Sequence, residues 1–186
     1  IKGASVMKGY YKRQDLTDAV IDRDGWFDSG DLGFKTACGE LILRGRKKDT
    51  IVLRGGENIE PVPLEMKMQE SPFISQAVVV GQDQRFLAAL IVVEETELTA
   101  YATHAGIAYS SLEQLIAHPD IQKLYEQQIA SRINSEHGFK LFERINRFTL
   151  LAKPFQPGVE LSAKQDIMRH KIAALYSDHI NAMFTK

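Results

Sequence analysis

The chain has one cysteine, Cys38, no excess of either charge, and no wholly apolar run longer than Phe86 to Val93. A lone cysteine closes no internal disulfide. With 23 Lys plus Arg against 24 Asp plus Glu, the formal charge is −1. Nucleic-acid binders are visibly basic, so no nucleic-acid partner is expected. The apolar run is far short of the ~20 residues that a membrane-crossing helix needs. No secretory leader is visible, so the expectation is a cytoplasmic setting, with peripheral attachment to the inner face of a membrane left open. The histidines His104, His118, His137, His170 and His179 are scattered. None has the HExxH or paired spacing of a metal site, so no metal ligands are expected. There is no P-loop, no GxGxxG and no fixed-period repeat.

What is present is ordinary globular material. Hydrophobic residues make up 44% and charged residues 25% of 186 positions, enough for a real core. The chain opens on Ile1 and runs straight into GASVMKGYYK, which reads as a cut through a longer protein. Up to about residue 45 it reads as short strands and turns: QDLTDAV makes one or two helical turns, Asp24-Gly25 marks a turn, and LGFKT and ELILR form a hairpin across ACGE. The charged stretch RGRKKD then separates two strand-like runs, and a domain junction is expected there.

Beyond it strands and helices alternate. DTIVL, QAVVVG, FLAALIVV and RFTLL read as strands, and Pro61 to Ser71 as a short helix. Ser110 with Glu113 reads as a capping box, and Pro119 as the first residue of a helix carrying Ile121, Leu124, Tyr125, Ile129 and Ile133. A closing helix is expected from near Ser162 to Phe184, capped by Ser162 and Gln165. Its buried face would carry Met168, Ile172, Leu175, Tyr176, Ile180 and Met183. The fold class is α+β: a short β-sheet flanked by helices.

Three stretches carry possible chemistry. GWFDSGDLG holds Asp28 and Asp31 in a glycine-rich turn. An Asx-turn explains it without function, whereas a carboxylate at a strand end also suits two adjacent sugar hydroxyls. LRGRKKDTIVLRGGENIEP couples a basic stretch to the Gly55-Gly56 pair, where the absence of Cβ atoms permits close approach to a ligand. ELSAKQDIMRHK places Lys164 in the expected first helical turn, where a cation is mildly unfavourable.

In order and spacing, GASVMKGYYK, GWFDSGDLG, GRKKDTIVLRGGENIEPVPLE and ELSAKQDIMRHK together resemble the closing part of AMP-forming acyl-CoA synthetases. HPDIQKLYEQQIASRIN and FERINRFTLL are most similar to the long-chain fatty acid branch of these adenylate-forming enzymes. The resemblance implies that residues 1–47 are the last β-strands of a large N-terminal domain, and 48–186 the mobile small C-terminal domain. It implies a long-chain fatty acid–CoA ligase, with fatty acid, ATP and CoA as substrates and magnesium held mainly through ATP and the upstream domain. Asp31 would bind the ribose hydroxyls and Arg46 the nucleotide. Lys48 would be the hinge, and Gly56, Glu57 and Asn58 would face the CoA pantetheine. The chain by itself, without the family's phosphate loop, would be inactive. A carrier-protein acyl-AMP ligase and a non-catalytic interaction module are the competing readings.

The last motif departs from the family. Aligned with the long-chain form ELTPTLKIKR, it puts Asp166 where the adenylation lysine belongs, and the nearest lysine is Lys164. In a helix, residues two apart point to nearly opposite faces and Lys164 could not substitute. In an extended segment they share a face, and Lys164 could replace the family lysine while Asp166 is structural.

Overall fold

A computed structural model describes residues 1–185. It divides into two compact units, Ile1–Lys48 and Asp49–Lys186.

The first unit holds one short helix, α1 (Gln14–Val20), and an antiparallel hairpin of β1 (Asp31–Lys35) and β2 (Leu41–Arg46). The Thr36 and Gly39 amides close the ACGE turn onto the Glu40 and Thr36 carbonyls. The ladder shifts register between Leu32 and Gly33. A Cβ at Gly33 would sit 2.7 Å from the Ile42 carbonyl oxygen, so this bulge needs glycine.

The second unit begins with a 3-10 turn at Lys47–Asp49 that reaches back across the division. A two-residue ladder follows, β3 (Ile51–Val52) with β4 (Asn58–Ile59), and then α2 (Pro61–Gln69). Pro61 opens α2, where its missing N–H costs nothing. The centre is a three-stranded sheet in the order β5 (Ile74–Val80), β6 (Leu87–Val93), β7 (Ile145–Leu151). β5 pairs antiparallel with β6, and β6 parallel with β7. The parallel pair requires a long crossover, supplied by α3 (Glu95–His104), α4 (Leu112–Ile116) and α5 (Pro119–Arg132).

β6 is buried along its whole length. Leu87, Ala89, Ile91 and Val93 pack into a core with α2, α3, α4 and α5. Ala88, Leu90 and Val92 face a second core that holds Phe155, Leu161, Ile172 and Met183. A strand covered on both faces has no polar side to alternate with, which accounts for the uninterrupted FLAALIVV. The Tyr125 hydroxyl, carried into the first core by α5, donates to the Phe73 carbonyl at 2.7 Å.

Two local expectations are corrected. The closing segment is not one helix from Ser162: it comprises α6 (Arg169–Leu175) and α7 (Ser177–Phe184), broken at Tyr176 where ψ rises to 22°. Leu175, expected on the buried face, is 57% exposed. Ahead of α4 the cap is Ser111, whose side chain accepts the Gln114 amide, rather than Ser110. Ser110 bonds the Gln114 side chain instead. At Pro119 the helix starts as expected, with His118 as its N-cap.

Candidate functional site

In the first unit, strand pairing brings two of the candidate residues together. Asp31 opens β1 and Arg46 closes β2, and the ladder puts them directly opposite each other. The Arg46 Nε lies 3.4 Å from Asp31 Oδ1. Ahead of them, Asp28 Oδ1 accepts the Gly30 amide at 2.8 Å, an Asx-turn that bends the chain into β1. The pair is loose and largely open to solvent, so it contributes little to stability. What it offers is a carboxylate and a guanidinium held side by side at strand ends, the chemistry that binds a vicinal diol next to an anionic group.

Lys48 is exposed in the 3-10 turn, where the two units divide. Past it, Gly56 and Glu57 form the tip of the β3–β4 hairpin, and Asn58 begins its return strand. The Gly56 amide donates to the Leu53 carbonyl at 2.9 Å, and the Leu53 amide to the Glu57 carbonyl at 3.0 Å. Gly56 has φ +89° with open space where a Cβ would stand. The neighbouring loop braces this hairpin through the Gln84 carbonyl, which accepts the Arg54 amide.

Lys164 lies in neither a helix nor a fully extended segment. Residues 161–167 form a small hairpin of their own, closed by an antiparallel bridge between Leu161 and Ile167. The Gln165 amide donates to the Ser162 carbonyl at 2.9 Å, and the Ser162 amide to the Asp166 carbonyl at 2.8 Å. Ser162 Oγ accepts from the amides of Lys164 and Asp166, each at 3.1 Å. The expected Ser162–Gln165 capping box is therefore a serine-braced turn, and Lys164 is not in a first helical turn. Lys164 is exposed at the tip, while Asp166 starts the returning arm with its carboxylate 3.5 Å from Ser162 Oγ. Among the described residues, no hydrogen bond or ion pair joins this hairpin to the Gly56–Asn58 loop.

Sequence reasoning missed the side chains that hold the hairpin's base. Glu160 is buried at its entrance and accepts the Gln156 amide at 2.9 Å and the Tyr176 hydroxyl at 3.1 Å. Arg169, just beyond its exit, makes a forked pair with buried Glu65 of α2. The signal was present as two carboxylates at otherwise core positions, but a single charged letter does not show that it is buried. Among the described residues no three His, Cys, Asp or Glu side chains converge as a metal cage.

Comparison with known proteins places this geometry in a family. The model of the AMP-binding enzyme C-terminal domain matches residues 48–186. The chain is 31% identical over 189 residues to the long-chain-fatty-acid–CoA ligase FadD15 of Mycobacterium tuberculosis, covering 100% of this chain and 31% of that one. It is 42% identical over 130 residues to the chloroplastic long-chain-fatty-acid–(acyl-carrier-protein) ligase AEE15 of Arabidopsis thaliana, covering 61% of this chain and 18% of that one. Among solved structures, the A domain of carboxylic acid reductase from Segniliparus rugosus, in complex with AMP and a co-purified carboxylic acid, superposes with a TM-score of 0.81 at 27% identity. That match covers 99% of this chain and 27% of the reductase domain. The chain spans less than a third of the length of the curated relatives it matches. By the match across 48–186, the chain belongs to the AMP-binding enzyme C-terminal domain family.

Proposed function

We propose that this chain is the C-terminal part of an ATP-dependent long-chain fatty acid–CoA ligase. The observation that carries it is the match of the AMP-binding enzyme C-terminal domain across residues 48–186, with the Asp31–Arg46 pair before Lys48 in sequence and the Gly56 tip and Lys164 hairpin after it. The full-length relatives named as long-chain-fatty-acid–CoA ligases support the same reading.

In the first half-reaction the fatty acid carboxylate oxygen attacks the α-phosphorus of ATP, and pyrophosphate leaves. Asp31 accepts hydrogen bonds from the ribose hydroxyls, and Arg46 contacts the nucleotide. Lys164 brings its ammonium to the α-phosphate, offsetting the charge that develops as the P–O bond breaks. Asp166 could not do this, because a carboxylate repels the phosphate, and its place is in the turn that holds Lys164 out. Magnesium would arrive with the triphosphate. In the second half-reaction the CoA thiolate attacks the acyl carbonyl, and AMP leaves. Rotation about Lys48 withdraws the Lys164 hairpin and presents Gly56, Glu57 and Asn58 to the pantetheine, so one small domain serves both steps.

The first unit supports the reading of residues 1–47 as part of a larger β-rich body. Its hairpin exposes Leu41 at 67% and Leu43 at 64%, and Trp26 is 54% exposed nearby in sequence. A lone two-stranded ribbon with apolar residues in water is marginal, and more strands would cover it.

A second reading is favoured by the relative AEE15, which is named for an acyl-carrier-protein acceptor and shares the higher identity of the two ligases described. There the nucleophile is the thiol of a carrier-bound phosphopantetheine, and the first half-reaction is unchanged. Both readings are tested by ATP–pyrophosphate exchange in the full-length protein across a panel of carboxylic acids, followed by acyl transfer to CoA or to a loaded carrier protein. Exchange that depends on a long-chain acid, with transfer to CoA, is the expected result. Transfer to the carrier alone selects the second reading, and no acid-dependent exchange rejects both.

A further inference from the structure

Two buried carboxylates of the second unit bond to residues of the closing segment: Glu65 to Arg169, two positions past the Lys164 hairpin, and Glu160, the residue before that hairpin, to Tyr176. At the exit, the Arg169 guanidinium donates from Nη1 to Glu65 Oε1 at 2.7 Å and from Nη2 to Oε2 at 2.6 Å. Glu65 Oε1 also accepts the Val79 amide of β5 at 2.8 Å, which fixes the carboxylate against the sheet. The Arg169 Nε lies 3.9 Å from Asp49, the residue after Lys48. At the base, the Met168 amide donates to the Glu160 carbonyl at 2.9 Å.

A buried ion pair is a poor device for stability alone, because two charges must be stripped of water and an apolar pair of similar volume often does as well. Its distinctive property is direction. A forked guanidinium–carboxylate contact fixes angle as well as distance, which apolar packing does not. The hairpin has one bridge and one turn, and its tip carries an exposed lysine, so its aim is set by where its two ends are tied. Arg169 follows Met168, whose amide ties the hairpin's base to the Glu160 carbonyl, so the placement of Arg169 bears on that base.

We propose that Arg169 is a positioning residue for the adenylation step, holding the 161–167 hairpin so that the Lys164 ammonium meets the α-phosphate, and that Glu65 orients Arg169. This rests on the role given to Lys164 above. Lysine at position 169 keeps the charge but cannot make the fork, and glutamine at position 65 keeps an acceptor for the Val79 amide while removing the charge.

In the full-length protein, Arg169→Lys and Glu65→Gln are expected to slow acid-dependent ATP–pyrophosphate exchange roughly 10- to 100-fold through kcat, the size expected for a misaimed group. The KM for ATP and thioester formation from supplied acyl-adenylate should both stay within about twofold, because neither reads the aim of Lys164 in this mechanism. Combining Arg169→Lys with Lys164→Ala should be no slower than Lys164→Ala alone, since the first acts through the second. Amide exchange in the 186-residue chain supplies a structural readout. The Gln165 and Asp166 amides should exchange faster in Arg169→Lys, while those of β6 keep their protection. Equal slowing of both half-reactions, faster exchange throughout β6, unchanged adenylation in both variants, or multiplying effects with Lys164→Ala would each overturn the positioning role. Unchanged adenylation in Lys164→Ala itself would overturn the reading beneath it as well, whatever Arg169→Lys does.

Discussion

Tyr176 shows how much one side chain can reveal about its surroundings. Burial, then its hydrogen bond to Glu160 and the charge of that carboxylate, push the phenol up from 10.0 to about 12. The sign follows from linkage. The folded state prefers the neutral phenol, so this contribution is fully present below pH 10 and is lost as pH rises from 10 towards about 12, where the unfolded chain ionises first. Tyr176→Phe is expected to be less stable than the parent at pH ~8, because Glu160 loses a donor. The difference should shrink or reverse near pH ~11, where only the parent is losing stability from this group. Urea midpoints of both proteins at the two pH values check it; a constant difference would mean that the folded state does not favour the neutral phenol.

At the scale of elements, β6 dominates. Ile91 is wholly buried in the larger core, on a strand paired on both edges. Ile91→Ala is expected to cost about 2–5 kcal/mol, from lost burial and the cavity left behind. Chemical denaturation of the 186-residue chain measures it, and a loss below about 1 kcal/mol would contradict a close-packed centre. This strand was legible in the sequence, because eight apolar letters in a row fit a strand covered on both faces. The hairpin at 161–167 was not. Ser162 followed by Gln165 has the same letters whether the serine caps a helix or braces a turn, since in both cases its oxygen accepts nearby backbone amides. The helical spacing of Met168, Ile172, Tyr176 and Ile180 also hid the break, because α6 and α7 still contribute to one core. The nucleotide-end candidates were legible as letters, but only the strand register sets Asp31 opposite Arg46. The bonds of Arg169 to Glu65 span 104 positions, a separation that no local pattern reports.

At the scale of the whole molecule, the proposed alternation between half-reactions requires rotation about Lys48. Proline there fixes φ near −65° and removes a backbone donor, so the dihedral changes that rotation needs are restricted. In the full-length protein, Lys48→Pro is expected to retain most of the adenylation rate and to lose thioester formation by ~10-fold or more. Equal loss in the two half-reactions would place the pivot elsewhere. The central claim is that this domain carries the adenylating cation on a hairpin, at Lys164, and not at the family position held by Asp166. Lys164→Ala in the full-length protein, with the half-reactions measured separately, tests it most directly. The account predicts acid-dependent ATP–pyrophosphate exchange slowed at least ~10²-fold, the size of one electrostatic contact in a closed site, with thioester formation from supplied acyl-adenylate preserved. An unaltered exchange rate in Lys164→Ala would contradict it.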